Sequence, residues 1–121
     1  MGNQSLGRRG ERVAAWYLRL HGYRILAANY RTRFGELDLV ARQGDEVVFV
    51  EVKTRTGRTF GYPEEAVHRT KLRHIVAAAE VYRTQERLTG RPFRIDVISV
   101  EPAGRFGLPK ITHLRNVTGS A

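Results

Sequence analysis

The 121-residue sequence predicts an α/β sandwich: a mixed β-sheet of four to five strands flanked by helices. Two apolar runs, Glu36 to Arg42 and Glu46 to Thr54, alternate with period two, and only Gln43-Gly44-Asp45 separates them, which suits a tight hairpin. Helix-periodic segments stand before and after this pair. The connection is too short for parallel neighbours, which need a crossover of a dozen or more residues, so the sheet is not uniformly parallel.

The elements follow in order. Val13, Trp16, Tyr17 and Leu20 recur at helical spacing within a helix expected from about Ser5 to His21, and Gly22 is placed to end it. Tyr23 to Ala28 reads as a short strand, followed by the two hairpin strands. Arg55 to Tyr62 is a loop rich in glycine and threonine. Pro63 then suits the first turn of a second helix, where a missing N–H costs no helical hydrogen bond. Leu72, Ile75, Val76, Ala79 and Tyr82 give that helix an apolar face, and Gly90 lies near its end. Phe93 to Val100 is a further strand and Lys110 to Val117 a last one, with Pro102 and Gly104 between them.

At this length one hydrophobic core must house any site, so a single domain over 1–121 is expected, with ends that fray at about 1–5 and 118–121. The absence of cysteine excludes a disulfide framework and a thiolate zinc site. No segment approaches the roughly 20 apolar residues of a membrane span, and the N-terminus lacks the apolar stretch of a signal peptide; a cytoplasmic location is expected. The formal charge is +9, and every basic residue except Lys53, Lys71 and Lys110 is arginine. Arginine suits bidentate contact with phosphate, so the balance favours a polyanionic partner, nucleic acid before an acidic membrane surface. A basic protein from an arginine-rich proteome has the same composition.

Chemistry concentrates in the hairpin. Val47, Phe49, Glu51 and Lys53 share one strand face, and Val48, Val50 and Val52 the other. Ionised groups beside such an apolar sheet cost several kcal/mol each unless paired, solvated or metal-bound. A hairpin centred near Gly44 makes Asp38 and Glu51 cross-strand partners, with Cβ atoms roughly 4.5 to 5.5 Å apart. Two carboxylates at that distance repel and raise one acid's pKa, whereas a divalent cation turns them into a ligand set. Mg²⁺ commonly takes one or two carboxylates and leaves positions for water and phosphate. Lys53, further along the same face, suits a role in orienting an attacking water or offsetting charge on phosphorus. The bland alternative is a solvated Glu/Lys pair on a hairpin face.

Gly7-x-x-Gly10-Glu11, Asn29-x-Arg31, Gly35-Glu36-Leu37-Asp38, Val48-Phe49-Val50-Glu51-Val52-Lys53-x-Arg55 and Phe60-Gly61-x-Pro63-x-Glu65-Ala66-Val67 together resemble the YraN family of small bacterial proteins. The likeness runs on through Lys71 to Asp96-Val97-Ile98 and covers nearly the whole chain. That family resembles the restriction-endonuclease-like PD-(D/E)xK nucleases, archaeal Holliday junction resolvases nearest among them. The resemblance implies a restriction-endonuclease-like fold, Mg²⁺ or Mn²⁺ as cofactor, and a DNA substrate. It also implies Glu11 as the distal acid, Asp38 and Glu51 as metal ligands helped by the Val52 carbonyl, and Lys53 as the catalytic lysine. A symmetric junction cutter implies a homodimer. The superfamily's proline before the first acid is absent, since Leu37 precedes Asp38.

Several residues keep two readings. Glu11 near a helix start also complements the macrodipole or pairs with Arg8. Glu36 is either a second ligand or an exposed strand-end acid. Arg31, Arg33, Arg55 and Arg58 flank the carboxylates in chain order and suit phosphates on either side of a scissile bond. His68, Arg69, Lys71, Arg73 and His74 crowd the start of the second helix against its dipole, which suits phosphate contact or a solvated charged face. Phe60 and Tyr62 suit base stacking or core capping. The histidines show no zinc spacing and are expected to be solvated, and no phosphate-binding glycine loop occurs. The expected function is a metal-dependent endonuclease on structured DNA such as branched junctions. Its rivals are a non-catalytic nucleic-acid-binding module of nuclease-like fold and a partner-recruiting protein whose charge is incidental.

Overall fold

The computed structural model describes residues 2–55, 69–103 and 107–118, with side chains from residue 7 in the first segment and 70 in the second. Helix α1 (Gly2–Leu20) leads into strands β1 (Arg24–Thr32), β2 (Gly35–Gln43) and β3 (Glu46–Thr54). Helix α2 (Arg69–Gln85) precedes β4 (Phe93–Glu101) and β5 (Lys110–Leu114). The five strands lie in the order β1-β2-β3-β4-β5. All neighbours are antiparallel except β3 and β4, which run parallel on either side of the α2 crossover. The mixed sheet with a helix against each face is the α/β architecture the sequence predicts, consistent with a restriction-endonuclease-like fold.

Local chemistry accounts for the turns. Gly22 takes φ 87, and Tyr23 N–H reaches back to the Leu18 carbonyl while Gly22 N–H reaches Arg19, a Schellman closure of α1. Gly44 at φ 58 closes the β2–β3 hairpin, whose ladder runs from Gln43–Glu46 to Leu39–Val50. β1 is longer than the expected short strand. It continues to Thr32 and joins β2 through a second tight turn at Arg33 and Phe34, where Phe34 N–H donates to Thr32 Oγ1 and that hydroxyl donates to the Gly35 carbonyl. This hydroxyl-built turn lacks the glycine-rich pair that marks the other hairpin.

The sheet separates two apolar clusters. Ala14, Ala15 and Leu18 of α1 cover Leu39, Ala41, Val48, Val50, Ile98 and Val100 on one face, while Ile75, Ala78, Ala79 and Tyr82 of α2 cover Val40, Val47, Phe49 and Ile95 on the other. The buried side of α1 is therefore not the one carrying the largest apolar residues. Trp16 is 52 % exposed and Leu20 63 %, because small residues bring the helix close to the sheet and turn the bulky ones outward. Gly10 marks the closest approach: a Cβ there would lie 2.0 Å from Thr54 Oγ1 at the end of β3, so a side chain would force the helix away. On α2, Val76 lies at the exposed edge of the apolar face and Ala78 takes its place in the core.

Candidate functional site

The cleft opens where one hairpin ladder skips a pair and the other stops. Between β1 and β2 the pairing passes from Ala28–Leu39 to Tyr30–Leu37, leaving Asn29 and Asp38 facing each other without a ladder pair, and Asn29 takes φ 52. Asparagine tolerates that left-handed conformation better than most residues. Its side-chain Nδ2 then reaches Glu11 Oε1 on α1 at 2.8 Å and Glu36 Oε1 on β2 at 3.4 Å. Between β2 and β3 the ladder ends at Leu39–Val50. One step beyond, Val52 gives its N–H to the Asp38 carboxylate at 2.8 Å. Three acids thus meet at one place: carboxylate oxygens of Glu11 on α1 and of Glu36 and Asp38 on β2 lie within 4.8 Å of one another.

Glu51 is the fourth acid, and its environment differs. Its residue is 5 % exposed and faces a cleft of about 500 Å³ lined by Phe34, Glu36, Asp38, Lys71 and His74 among others. Lys53 Nζ lies 3.1 Å and Lys71 Nζ 2.6 Å from the same Glu51 oxygen. Asp38 is hydrogen-bonded to Glu51, and its carboxyl is pushed up to about 7. Burial is the main cause, followed by the charge of Glu51 and then that of Glu11; the Val52 N–H pulls the other way. Lys53 is lowered, first by burial and then by Lys71, with Glu51 resisting. For Lys71 burial acts downward as well, but its bonds to Glu51 and Lys53 outweigh it and leave the group raised. Near neutral pH, Asp38 is therefore divided between its acid and carboxylate forms.

These groups suit a hard divalent cation: the donors are carboxylate oxygens, crowded enough to raise Asp38, and Mg²⁺ or Mn²⁺ prefers oxygen ligands. Glu11, Glu36 and Asp38 form the tightest oxygen set, with Glu51 beside Asp38. Glu36, an equivocal residue from its sequence position alone, stands with the acids. Asn29 is the residue that sequence reasoning left without a role; its pairing with Glu11 and Glu36 depends on a left-handed backbone that no strand periodicity announces.

The predicted basic residues fare differently. Arg31 is exposed and pairs with Glu36 at 3.3 Å on the cleft rim. Arg33, at the hairpin tip, lies over the Phe34 ring at 4.8 Å, and Phe34 lines the cleft mouth. Arg55 is half-buried at the end of β3, where its N–H bonds the Val100 carbonyl. Lys71 points into the acids. Arg69 is the first described residue of α2, and Arg58, Phe60, Tyr62, Pro63 and His68 lie outside the described residues.

Comparison with known proteins places the chain. The profile of the uncharacterised protein family UPF0102 matches residues 10–100. The chain belongs to the UPF0102 family. This is the YraN family that the motifs resemble. The UPF0102 protein of Geobacter metallireducens is 46 % identical over 114 residues, covering 94 % of this chain and 92 % of its own. That of Syntrophotalea carbinolica is 52 % identical over 100 residues, covering 83 % and 81 %. A third UPF0102 protein, from Syntrophomonas wolfei, is 45 % identical over 114 residues, covering 94 % and 97 %. Among the described residues of this family member no helix is long and apolar enough to cross a membrane.

A second polar cluster lies under α1, across the sheet. Asp96, 0 % exposed, accepts Arg94 Nε at 3.0 Å and Asn116 N–H at 2.9 Å, and meets His113 Nε2 at 2.7 Å. Arg94 also donates to Glu46 at 2.6 Å and to the Tyr23 hydroxyl at 2.7 Å, and Tyr17 meets His113 Nδ1 at 3.0 Å. His113 is thus buried, not solvated as its spacing suggested, because β5 pairs Ile98 with His113 and carries the ring over Asp96.

Proposed function

We propose that this protein is a metal-dependent phosphodiesterase that cuts structured nucleic acid, with branched DNA its substrate class. The observation that carries the reading is the convergence of Asp38 and Glu51 on one cleft, with Lys53 Nζ 3.1 Å from the Glu51 carboxylate and Glu11 and Glu36 beside them. Glu11, Glu36, Asp38 and Glu51 would hold the Mg²⁺ or Mn²⁺ ion, which when bound supplies Lewis-acid stabilisation of phosphate charge. Val52 fixes the Asp38 carboxylate through its N–H. Asn29 fixes Glu11 and Glu36. Lys53, partly buried and lowered in pKa, holds a proton at Nζ that it gives up more readily than a solvated lysine, which suits it to steer a water or a leaving oxygen. The excess of arginine draws the polyanion, with Arg31 and Arg33 on the rim to grip its backbone. A symmetric junction would engage two copies of the chain, and a cytoplasmic setting accords with the lack of cysteine.

The test is a panel of duplex, flap, single-stranded and four-way-junction substrates, in DNA and RNA, with and without Mn²⁺ or Mg²⁺. Metal-dependent product from a branched DNA is expected. Lys53→Ala should lose at least about a hundredfold in cleavage while keeping most binding. Metal-independent binding with no product from any substrate would reduce the protein to a binding module.

A further inference from the structure

The acid cleft holds one more cation than the proposed chemistry uses. Glu51 Oε2 receives Lys53 from its own strand and Lys71 from α2, the latter at 2.6 Å. The two lysines are not equivalent. Lys53 is two residues along β3 with a side chain 24 % exposed, whereas Lys71 reaches in from the opposite wall and its side chain is 44 % exposed to the cleft. Among the described residues its ion pair is with Glu51 alone, formed by a flexible four-carbon stem next to open space.

A divalent cation cannot simply be added to this arrangement. Mg²⁺ binds carboxylate oxygen at about 2.1 Å, and an ammonium 2.6 Å from the same oxygen would stand less than about 5 Å from the ion. Like charges that close, within a pocket walled by apolar Ile75 and the sheet, repel strongly. One must leave. Lys53 has the less exposed side chain, 24 % against 44 %, so Lys71 is the group with room to swing away.

We propose, resting on the metal-dependent reading above, that Lys71 is an exchangeable counter-cation of Glu51: it balances that carboxylate in the metal-free protein, is displaced when a divalent ion enters, and then offers its ammonium to a phosphate of the nucleic acid. Metal and nucleic acid thereby strengthen each other's binding through one side chain, and linkage makes the effect reciprocal. The fold keeps the acids ordered without metal and keeps a phosphate ligand sequestered until metal arrives.

Calorimetric titration of Mn²⁺ into the full chain tests this, comparing wild type with Lys71→Met and Lys71→Gln. Removing a competitor should tighten Mn²⁺ binding by roughly tenfold in both, within the usual range of coupling between sites. A merely structural lysine predicts the opposite sign. Circular dichroism confirms that each variant is folded, and the two replacements guard against failure of either. In a second arm, a labelled four-way junction is bound with and without Ca²⁺, which takes the same oxygen ligands. The divalent ion should raise junction affinity several-fold in wild type and leave Lys71→Met nearly unchanged. If wild type takes up Mn²⁺ and neither variant binds it more tightly, exchange is overturned while the metal site stands. If no form takes up Mn²⁺, the metal-dependent reading falls and exchange with it.

Discussion

The sheet carries a buried carboxylate cluster on each face, and the two are built on opposite principles. Under α1, Asp96 is surrounded by donors: Arg94, His113 and the Asn116 N–H. Although burial acts to raise its carboxyl, those bonds outweigh it and hold the group below its ordinary value. Under α2, Asp38 has one backbone donor and three acids as neighbours, Glu11, Glu36 and Glu51, and its carboxyl rises to about 7. Both lie against apolar packing, so burial alone does not separate them. What separates them is whether the neighbours complete the charge or compete with it. A completed carboxylate fastens strands together; a crowded one carries a perturbed pKa, a property that clusters at functional sites.

The largest effect should come from removing the completed one. Asp96→Ala takes the buried carboxylate from Arg94, leaving it Glu46 and Tyr23, and leaves Asn116 N–H and His113 without their acceptor. A loss of about 3–5 kcal/mol in denaturant-measured stability is expected. Asp38→Asn removes a repelling charge while keeping an acceptor for Val52, so it should cost no stability at neutral pH and stay within about 1 kcal/mol of wild type near pH 4, where Asp38 is protonated. Equal losses in the two variants would erase the distinction between the clusters.

The next effect is on pH dependence, where the two acids should act with opposite sign. Asp38 in the folded chain titrates near 7 against 3.8 for the ordinary group, so between those values the native state binds more protons than the unfolded one. Its contribution is therefore favourable below about pH 4 and lost as pH rises through 7. Asp96 is held below 3.8, so its contribution is present above about pH 4 and lost as pH falls through its folded value. Urea melts across this range should show Asp38→Asn gaining on wild type from pH 4 to 7, then running level. A difference that shrinks over that interval would place the Asp38 carboxyl in a different environment.

The site cluster was far more legible in the sequence than the structural one. Period-two counting about Gly44 is symmetric, so one turn assignment brings Asp38 to Glu51 and sets Lys53 on the Glu51 face. Nothing beyond the hairpin is needed. Lys71 comes from an element whose approach only the packed fold decides, which is why its position among basic residues suggested an outward phosphate contact. Asp96 needs three remote pieces: β4 beside β3, His113 on β5 and Tyr17 on α1. The alternation of Arg94 and Asp96 on one strand face was the available signal, and it reads equally as a solvated pair. Trp16 and Leu20 misled for a different reason, since helical spacing ranks apolar size and the sheet selected small residues for close approach.

The smallest effect tests how far the completed cluster extends. Tyr17 meets His113 Nδ1 at 3.0 Å, and His113 Nε2 faces Asp96, so the hydroxyl lies at the outer end of a chain from helix to strand. Burial raises the Tyr17 hydroxyl above its usual range, so a neutral hydroxyl meets Nδ1 while Nε2 faces the Asp96 carboxylate. Tyr17→Phe removes one outer hydrogen bond while the ring still packs on His21 and His113, so it should cost only about 1 kcal/mol. Its Mn²⁺ affinity should match wild type, because no bond of this chain crosses the sheet to Asp38. A Tyr17→Phe protein that melted like wild type but bound Mn²⁺ differently would mean that the two faces of the sheet are coupled after all.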